Sequence, residues 1–375
     1  MEKIIISSGL SFIITFFAIP IIIQVAKEKK LFDEPNHRKI HKTVIPTLGG
    51  LGIYAGFIIA TLMFVPFQNT VHFQYYLAAS LVIFFLGLKD DILILSASKK
   101  FIGQLIAAWI LFQFGGIQIN NMQGLFGLDF IPSAASTVLS LFTIVVITNS
   151  FNLIDGVDGL AGSLGLLTTF LFGCYFFYIG ETALAVMAFT LFGSLISFLI
   201  YNFPPAKIFM GDTGSLLVGL MNSVFVIKFI NTSQINAADF VVPSAPAIGF
   251  AVLLVPLFDT LRVFTIRIFS RRSPFSPDRN HIHHLILDLG FSHKQTTLIC
   301  LSANIVFITL AILLRNAGIN LLMSVLFIMP LALTFWLYYQ KNKRQKSESH
   351  KSVNQQDLVP SQKLFSLVHE TVDVD

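Results

Sequence analysis

Eleven apolar runs divide this chain, and most are about as long as a bilayer core is thick. They cover about residues 4–26, 49–67, 75–89, 101–115, 134–149, 160–179, 182–200, 214–230, 243–268, 297–315 and 318–340, with 75–89 and 101–115 the shortest. A helix needs roughly 20 apolar residues to cross hydrocarbon. Inside a bilayer only helices and closed barrels leave no backbone group unpaired. The remaining composition agrees: 54% of the 375 residues are apolar and 12% are charged, about half the charged share of a soluble domain. The expected fold is an all-α polytopic membrane protein of about eleven transmembrane helices, with residues 1–340 as one domain. The stretch 341–375 opens with Lys341, Lys343, Arg344 and Lys346, then turns polar and acidic. It is expected to be a disordered cytoplasmic tail.

Smaller features refine this outline. The first run is too long for a signal-peptide core and lacks a small-residue cleavage site, so it reads as a retained helix. Pro246 and Pro256 predict a kink within 243–268. Gly115-Gly116, Asn120-Asn121 and Gly124 punctuate the segment 116–133, which predicts a small outer β-hairpin. Cys174 and Cys300 both lie in apolar runs, and they form neither a disulfide framework nor a metal motif.

Lys and Arg set the orientation, because loops rich in them stay cytoplasmic. With eleven crossings only Lys3, Lys228 and Arg315 fall at or near the outer ends, leaving 22 of 25 on the other side. The N-terminus is therefore expected outside and the C-terminus inside. The formal charge of +5 is this bias, and no nucleic-acid partner is needed to explain it.

The chemically loaded residues fall into five clusters: Asp33 to His41, Asp90-Asp91, Asn152 to Gly162, Asn202 to Ser215 and Asp278 to His284. An even number of runs separates consecutive clusters, and an even number of crossings returns the chain to the side it left. Five loops scattered over some 250 residues can thus build one site on the cytoplasmic face.

In NSFNLIDGVDGLAGSLG, residues 149–165, Asn152, Asp155 and Asp158 are spaced three apart, which on a helical turn puts them on one face. Gly156, Gly159 and Gly162 let a ligand approach the backbone, and a helix N-terminus suits phosphate. In NFPPAKIFMGDTGSLLVG, residues 202–219, Asp212 opens an apolar helix either as its cap or as an oxygen ligand for Mg²⁺. Asp90 and Asp91 end the third run, and their mutual repulsion suits a general base or a cation site. In RRSPFSPDRNHIHHLILDLGFS, residues 271–292, Arg271, Arg272, Arg279, His281, His283 and His284 lack zinc-site spacing and read as a clamp for phosphates. In DEPNHRKIHKTVIPTLGG, residues 33–50, Arg38, Lys39, His41 and Lys42 serve either such a clamp or the positive-inside bias. Carboxylates for a metal, a base and a basic ring are what a loose phosphoryl-transfer transition state requires.

LKDD, NSFNLIDGVDGLAGS, NFPPAKIFMGDTGS and PDRNHIHH stand in this order within residues 1–315. With these motifs the chain resembles the polyprenyl-phosphate N-acetylhexosamine-1-phosphate transferases, the family of the WecA/TagO type enzymes and the MraY translocases. The resemblance implies transfer of a sugar 1-phosphate, most simply GlcNAc-1-phosphate, from a UDP-N-acetylhexosamine to undecaprenyl phosphate, with UMP released at the inner membrane. It implies Mg²⁺, with Mn²⁺ as a substitute, held by Asp212 with Asn152. Asp90 or Asp91 would serve the acceptor phosphate. Asp155 and Asp158 would line the nucleotide-sugar pocket, with Asn202 and Phe209 near the uracil, and His281, His283 and His284 would meet the diphosphate or sugar. The H-x-H-H spacing after PDRN looks like the WecA/TagO branch. A muropeptide donor of the MraY type is the alternative, and a homodimer is compatible with either. A transporter is the alternative of a different class, but it would place its charges near the midplane of inverted repeats.

Overall fold

The computed structural model describes residues 1–29, 45–65, 72–93, 95–233, 241–271 and 280–356. Thirteen helices and one hairpin occur among them: α1 (Glu2–Glu28), α2 (Gly49–Phe64), α3 (Phe73–Leu93), α4 (Ala97–Gln113), β1 (Asn121–Leu125), β2 (Leu128–Phe130), α5 (Ser133–Ile154), α6 (Leu160–Tyr178), α7 (Thr182–Asn202), α8 (Gly211–Thr232), α9 (Ala245–Val252), α10 (Leu254–Phe269), α11 (Ile282–Asp288), α12 (His293–Leu313) and α13 (Ile319–Gln356). Every apolar run becomes a helix, and the expected hairpin is present, with β1 and β2 antiparallel. Among the described residues, α1, α5, α6, α7, α8, α12 and α13 are long and apolar enough to cross a membrane. The bent pair α9–α10 would make an eighth. The chain is a multi-pass membrane protein. The helices α2, α3 and α4 do not meet that combined measure of length and apolarity, so seven or eight of the expected eleven crossings pass it.

The helix α8 lies at the centre. Of its most apolar stretch 89% is buried, against 28% for α1 and 22% for α13, as expected of a helix that is apolar on all sides. Lipid tails are as apolar as leucine, so helices in a bilayer associate through close backbone approach rather than through expulsion of water. Glycine permits that approach here. A Cβ at Gly87 of α3 would sit 2.5 Å from Cα of Thr213, and one at Gly219 would sit 2.7 Å from Cα of Thr148 in α5. Hydroxyls supply the polar contacts among α1, α2 and α7. Ser11 Oγ donates to Thr190 O at 2.7 Å, Thr15 Oγ1 to Gly52 O at 3.1 Å, and the Thr61 and Thr190 hydroxyls pair at 2.8 Å.

The kink expected in 243–268 is a break of 87° at Leu253, between α9 and α10. Pro246 lies in the first turn of α9, where a missing N–H costs nothing. Pro256 is the cause. Its ring cannot coexist with a helical carbonyl four residues back, at Val252. Asn304 of α12 satisfies the groups that the break frees, donating to Val252 O at 3.0 Å and accepting from Val255 N at 2.9 Å.

The expectation of a disordered tail from residue 341 is corrected in part, because α13 continues to Gln356. Extending a formed helix avoids the cost of nucleation, and the helix is anchored as it passes α11. Lys341 Nζ pairs with Asp288 Oδ2 at 2.8 Å, and Arg344 donates to Leu289 O. Residues 357–375 lie outside the described residues.

Replacing Asn304 with Leu keeps the side chain's bulk and orphans both backbone groups at the break. The expected cost is about 1–3 kcal/mol, read as a lowered Tm of the purified protein. An unchanged Tm would show that the break does not depend on this side chain.

Candidate active site

The ends of α3, α5 and α7 meet the starts of α4, α6, α8, α11 and α12. This is the shared face that the parity of the runs requires. At its centre Lys100, in the first turn of α4, bridges two carboxylates. Its Nζ lies 2.5 Å from Asp90 Oδ2 and 2.6 Å from Asp212 Oδ2. Asp90 also accepts the backbone N–H of Leu95.

Its neighbour Asp91 faces differently. It caps α8: Oδ1 accepts Asp212 N at 2.7 Å, and Oδ2 accepts Thr213 N at 3.0 Å and Thr213 Oγ1 at 2.6 Å. A helix N-terminus leaves its first N–H groups without intrahelical partners, and here a carboxylate from another helix supplies the acceptor. Gly211, at φ +69°, makes the turn into α8, and a Cβ there would lie 2.8 Å from both Asp91 oxygens. The segment before α2 is pinned to the same turn. Phe209 N donates to Pro46 O, Gly49 N to Phe209 O and Gly50 N to Met210 O, at 2.8, 2.9 and 2.8 Å.

Asn152, in the last turn of α5, donates to Ser215 Oγ at 3.0 Å and also hydrogen-bonds the Asp212 carboxylate. Asp155 follows as the cap of α5. Burial, and then the charges of Asp212, Asp91 and Asp158, push its carboxyl well above the usual carboxylate range. Asp158 is buried. Its Oδ1 lies 3.2 Å from His293 Nδ1, its Oδ2 accepts Ala206 N at 3.3 Å, and its carbonyl accepts Thr297 Oγ1 at 2.8 Å. The amide of Asn202 is spent on backbone, accepting Gly159 N at 2.9 Å and donating to Ile208 O at 2.8 Å. Phe209 is half-buried beside it.

The histidines form a stack. The rings of His281 and His283 lie 5.5 Å apart at 9°, and those of His283 and His284 lie 4.3 Å apart. A Cβ at Gly156 would sit 2.7 Å from His283 Nε2, so that glycine admits the ring to the loop after α5. Burial, then His284, lowers the His283 pKa to about 3. His283 is thus a buried ring packed between its histidine neighbours and the loop after α5. Arg38, His41 and Arg279 lie outside the described residues.

Lys100, His293, Asp259 and Arg262 belong to none of the five motif clusters. The first two are signalled weakly, as members of short polar stretches at the entrance to apolar runs. Asp259 and Arg262 carry a clearer signal. They are opposite charges three residues apart inside a run, where charge is costly unless paired.

Among the described residues, no three His, Cys, Asp or Glu side chains converge as a metal cage. The donor set nevertheless suits Mg²⁺, which keeps several waters and takes one or two protein carboxylates together with phosphate oxygens. Asp212 and Asn152 are adjacent oxygen donors.

Comparison with known proteins agrees with this geometry. The pattern of glycosyl transferase family 4 matches residues 73–230, from the start of α3 nearly to the end of α8. A probable undecaprenyl-phosphate N-acetylglucosaminyl 1-phosphate transferase of Bacillus subtilis (strain 168) is 31% identical over 334 residues, covering 88% of this chain and 90% of the relative. The undecaprenyl-phosphate alpha-N-acetylglucosaminyl 1-phosphate transferase of Escherichia coli (strain K12) is 30% identical over 84% of each chain. A decaprenyl-phosphate N-acetylglucosaminephosphotransferase of Mycobacterium leprae (strain TN) is 35% identical over 76% of this chain and 77% of its own. The motifs, the shared face and these identities over most of the chain agree, and the chain belongs to glycosyl transferase family 4, the family of the polyprenyl-phosphate N-acetylhexosamine-1-phosphate transferases.

Proposed function

We propose that this protein transfers GlcNAc-1-phosphate from UDP-GlcNAc to undecaprenyl phosphate and releases UMP, as the first membrane step of a cell-envelope polysaccharide. The observation that carries the reading is the Asp90–Lys100–Asp212 bridge at the helix ends, in a chain whose relatives are named for this transfer. The reaction forms one P–O bond and breaks one. A phosphate oxygen of the acceptor attacks the sugar-bearing phosphorus of the donor, and the bridging oxygen leaves with UMP. Asp212 and Asn152 would hold Mg²⁺ or Mn²⁺, which when bound offsets diphosphate charge. Lys100 is a cation already fixed between the two carboxylates, placed to meet a phosphate oxygen in exchange for one of them. Asp90 takes the acceptor's proton, while Asp91 holds the turn that presents Asp212. Asp155 and Asp158 line the donor pocket, with His281 at the sugar diphosphate. The site faces the cytoplasm of a bacterial inner membrane, where a nucleotide sugar and a lipid head group can meet.

The test is UMP release by purified protein supplied with undecaprenyl phosphate and a panel of UDP-sugars. UDP-GlcNAc is expected to give the highest kcat/KM. Preference for a UDP-muramoyl peptide would replace this reading with the MraY-type one, and no turnover of any UDP-sugar would remove both.

Asp212→Asn retains the shape and removes a charge from the metal set. The expected fall in kcat is about 10³-fold or more, since metal charge neutralisation is worth several kcal/mol. Activity within a few-fold of wild type at equal yield would exclude the role.

Asp90 and Asp91 separate by pH. A general base contributes roughly 10²–10⁴-fold, and a phosphate monoester loses its second proton near pH ~6. The acceptor is thus already dianionic at high pH and needs no base there. The Asp90→Asn deficit should shrink as pH rises from about 6 to 9. Asp91→Asn, which weakens the cap of α8, should give a deficit that does not shrink over that range and a lower Tm. A flat profile for Asp90→Asn would make that residue a structural or metal group.

A further inference from the structure

Asp259 and Arg262 lie on α10, 1% and 9% exposed, within an apolar run and outside the Asp90–Lys100–Asp212 bridge. Arg262 Nη2 donates to Asp259 Oδ1 at 2.8 Å and also to Asn280 O, while Nη1 donates to Tyr338 Oη at 3.2 Å. The same Asp259 oxygen accepts Ile282 N at 3.0 Å, and Oδ2 receives His281 Nδ1 at 2.9 Å. Three consecutive residues of the histidine loop, 280 to 282, are therefore fastened to one ion pair. Stability alone does not account for it, since an apolar pair of similar volume usually serves a buried site as well or better. An apolar pair cannot choose between two ring nitrogens. A carboxylate held ionised by a guanidinium only accepts, so His281 must carry its proton on Nδ1, and Nε2 becomes the nitrogen left for a ligand. The fixed ring stacks on His283, which lies against Gly156 of the loop after α5.

We propose that Asp259, held by Arg262, is a positioning residue that fixes His281 as its Nδ1–H tautomer and so presents Nε2 to the sugar diphosphate. This rests on the reading that His281 meets that diphosphate. Asp259→Asn leaves an amide that can donate to Nδ1 and drive the proton to Nε2. In full-length protein with ¹⁵N-labelled histidine, the His281 signals, assigned by their loss in His281→Asn, should exchange the Nδ1–H pattern for the Nε2–H pattern. The kcat should fall about 10–100-fold, the usual cost of losing such an orienting partner, with KM for UDP-GlcNAc within three-fold. Asp259→Glu should recover much of the rate. Where the unpaired Arg262 prevents folding of Asp259→Asn, Asp259→Asn/Arg262→Gln gives the same readings on a neutral pair. In a His281→Asn background, either change should cause no further loss.

A multiplicative loss in that background would overturn the proposal. So would a folded Asp259→Asn/Arg262→Gln protein with wild-type kcat and an unchanged Nδ1–H signal while His281→Asn is inactive, and in that case the reading of His281 would stand. Full activity of His281→Asn would remove that reading and the proposal together.

Discussion

The site depends on the carboxylate of Asp91 closing the N-terminus of α8. The first turn of that helix has to leave its N–H groups without intrahelical partners, and at a bilayer boundary orphaned groups are costly. Asp91 takes two of them and the Thr213 hydroxyl. It thereby fixes where Asp212 stands, and Asp212 in turn shares Lys100 with Asp90. Two adjacent carboxylates are thus given different tasks by direction alone. One points along α8 and the other across to α4.

Close packing in the apolar body maintains these directions. Gly87 lies one turn before Asp91 on α3 and touches the backbone of Thr213. Gly50 touches Gly214, so α2, α3 and α8 converge within the first turn of α8. A side chain at any of these contacts would move the helix ends that carry the acidic groups. The exposed faces of α1 and α13, with Phe17 and Trp336 outward, ask only for lipid.

The helices, the hairpin, the kink and the shared face were legible because each follows from a local rule: run length, turn residues, a proline, and the parity of crossings. What sequence could not give was the direction of individual side chains. The DD pair reads as one acidic unit until packing separates it, and Lys100 is one of two adjacent lysines until Asp90 and Asp212 select it. The histidine cluster reads as one unit, but packing buries His283 against Gly156 while His281 turns to Asp259. The tail reads as disordered from its polarity, yet Lys341 and Arg344 find partners around α11 that extend α13.

Charge placement also bears on the reaction class. A transporter needs ionisable groups along a path through the bilayer, with two arrangements open to them. Here Asp90, Asp91, Asn152, Asp155 and Asp212 occupy helix ends on one face, and the charge pair farther along a span, Asp259–Arg262, is locked by several hydrogen bonds into one arrangement. The central helix α8 is nine-tenths buried and closed by its neighbours. Its first turn carries the Asp212 carboxylate, and the carboxyl of Asp155 nearby is pushed toward its neutral form by burial and then by its neighbours' charge. Among the described residues at its centre, the carboxylates of Asp90 and Asp212 share the single cation of Lys100, so a metal ion and its phosphate ligands fit there together. That arrangement suits diphosphate chemistry at a membrane surface.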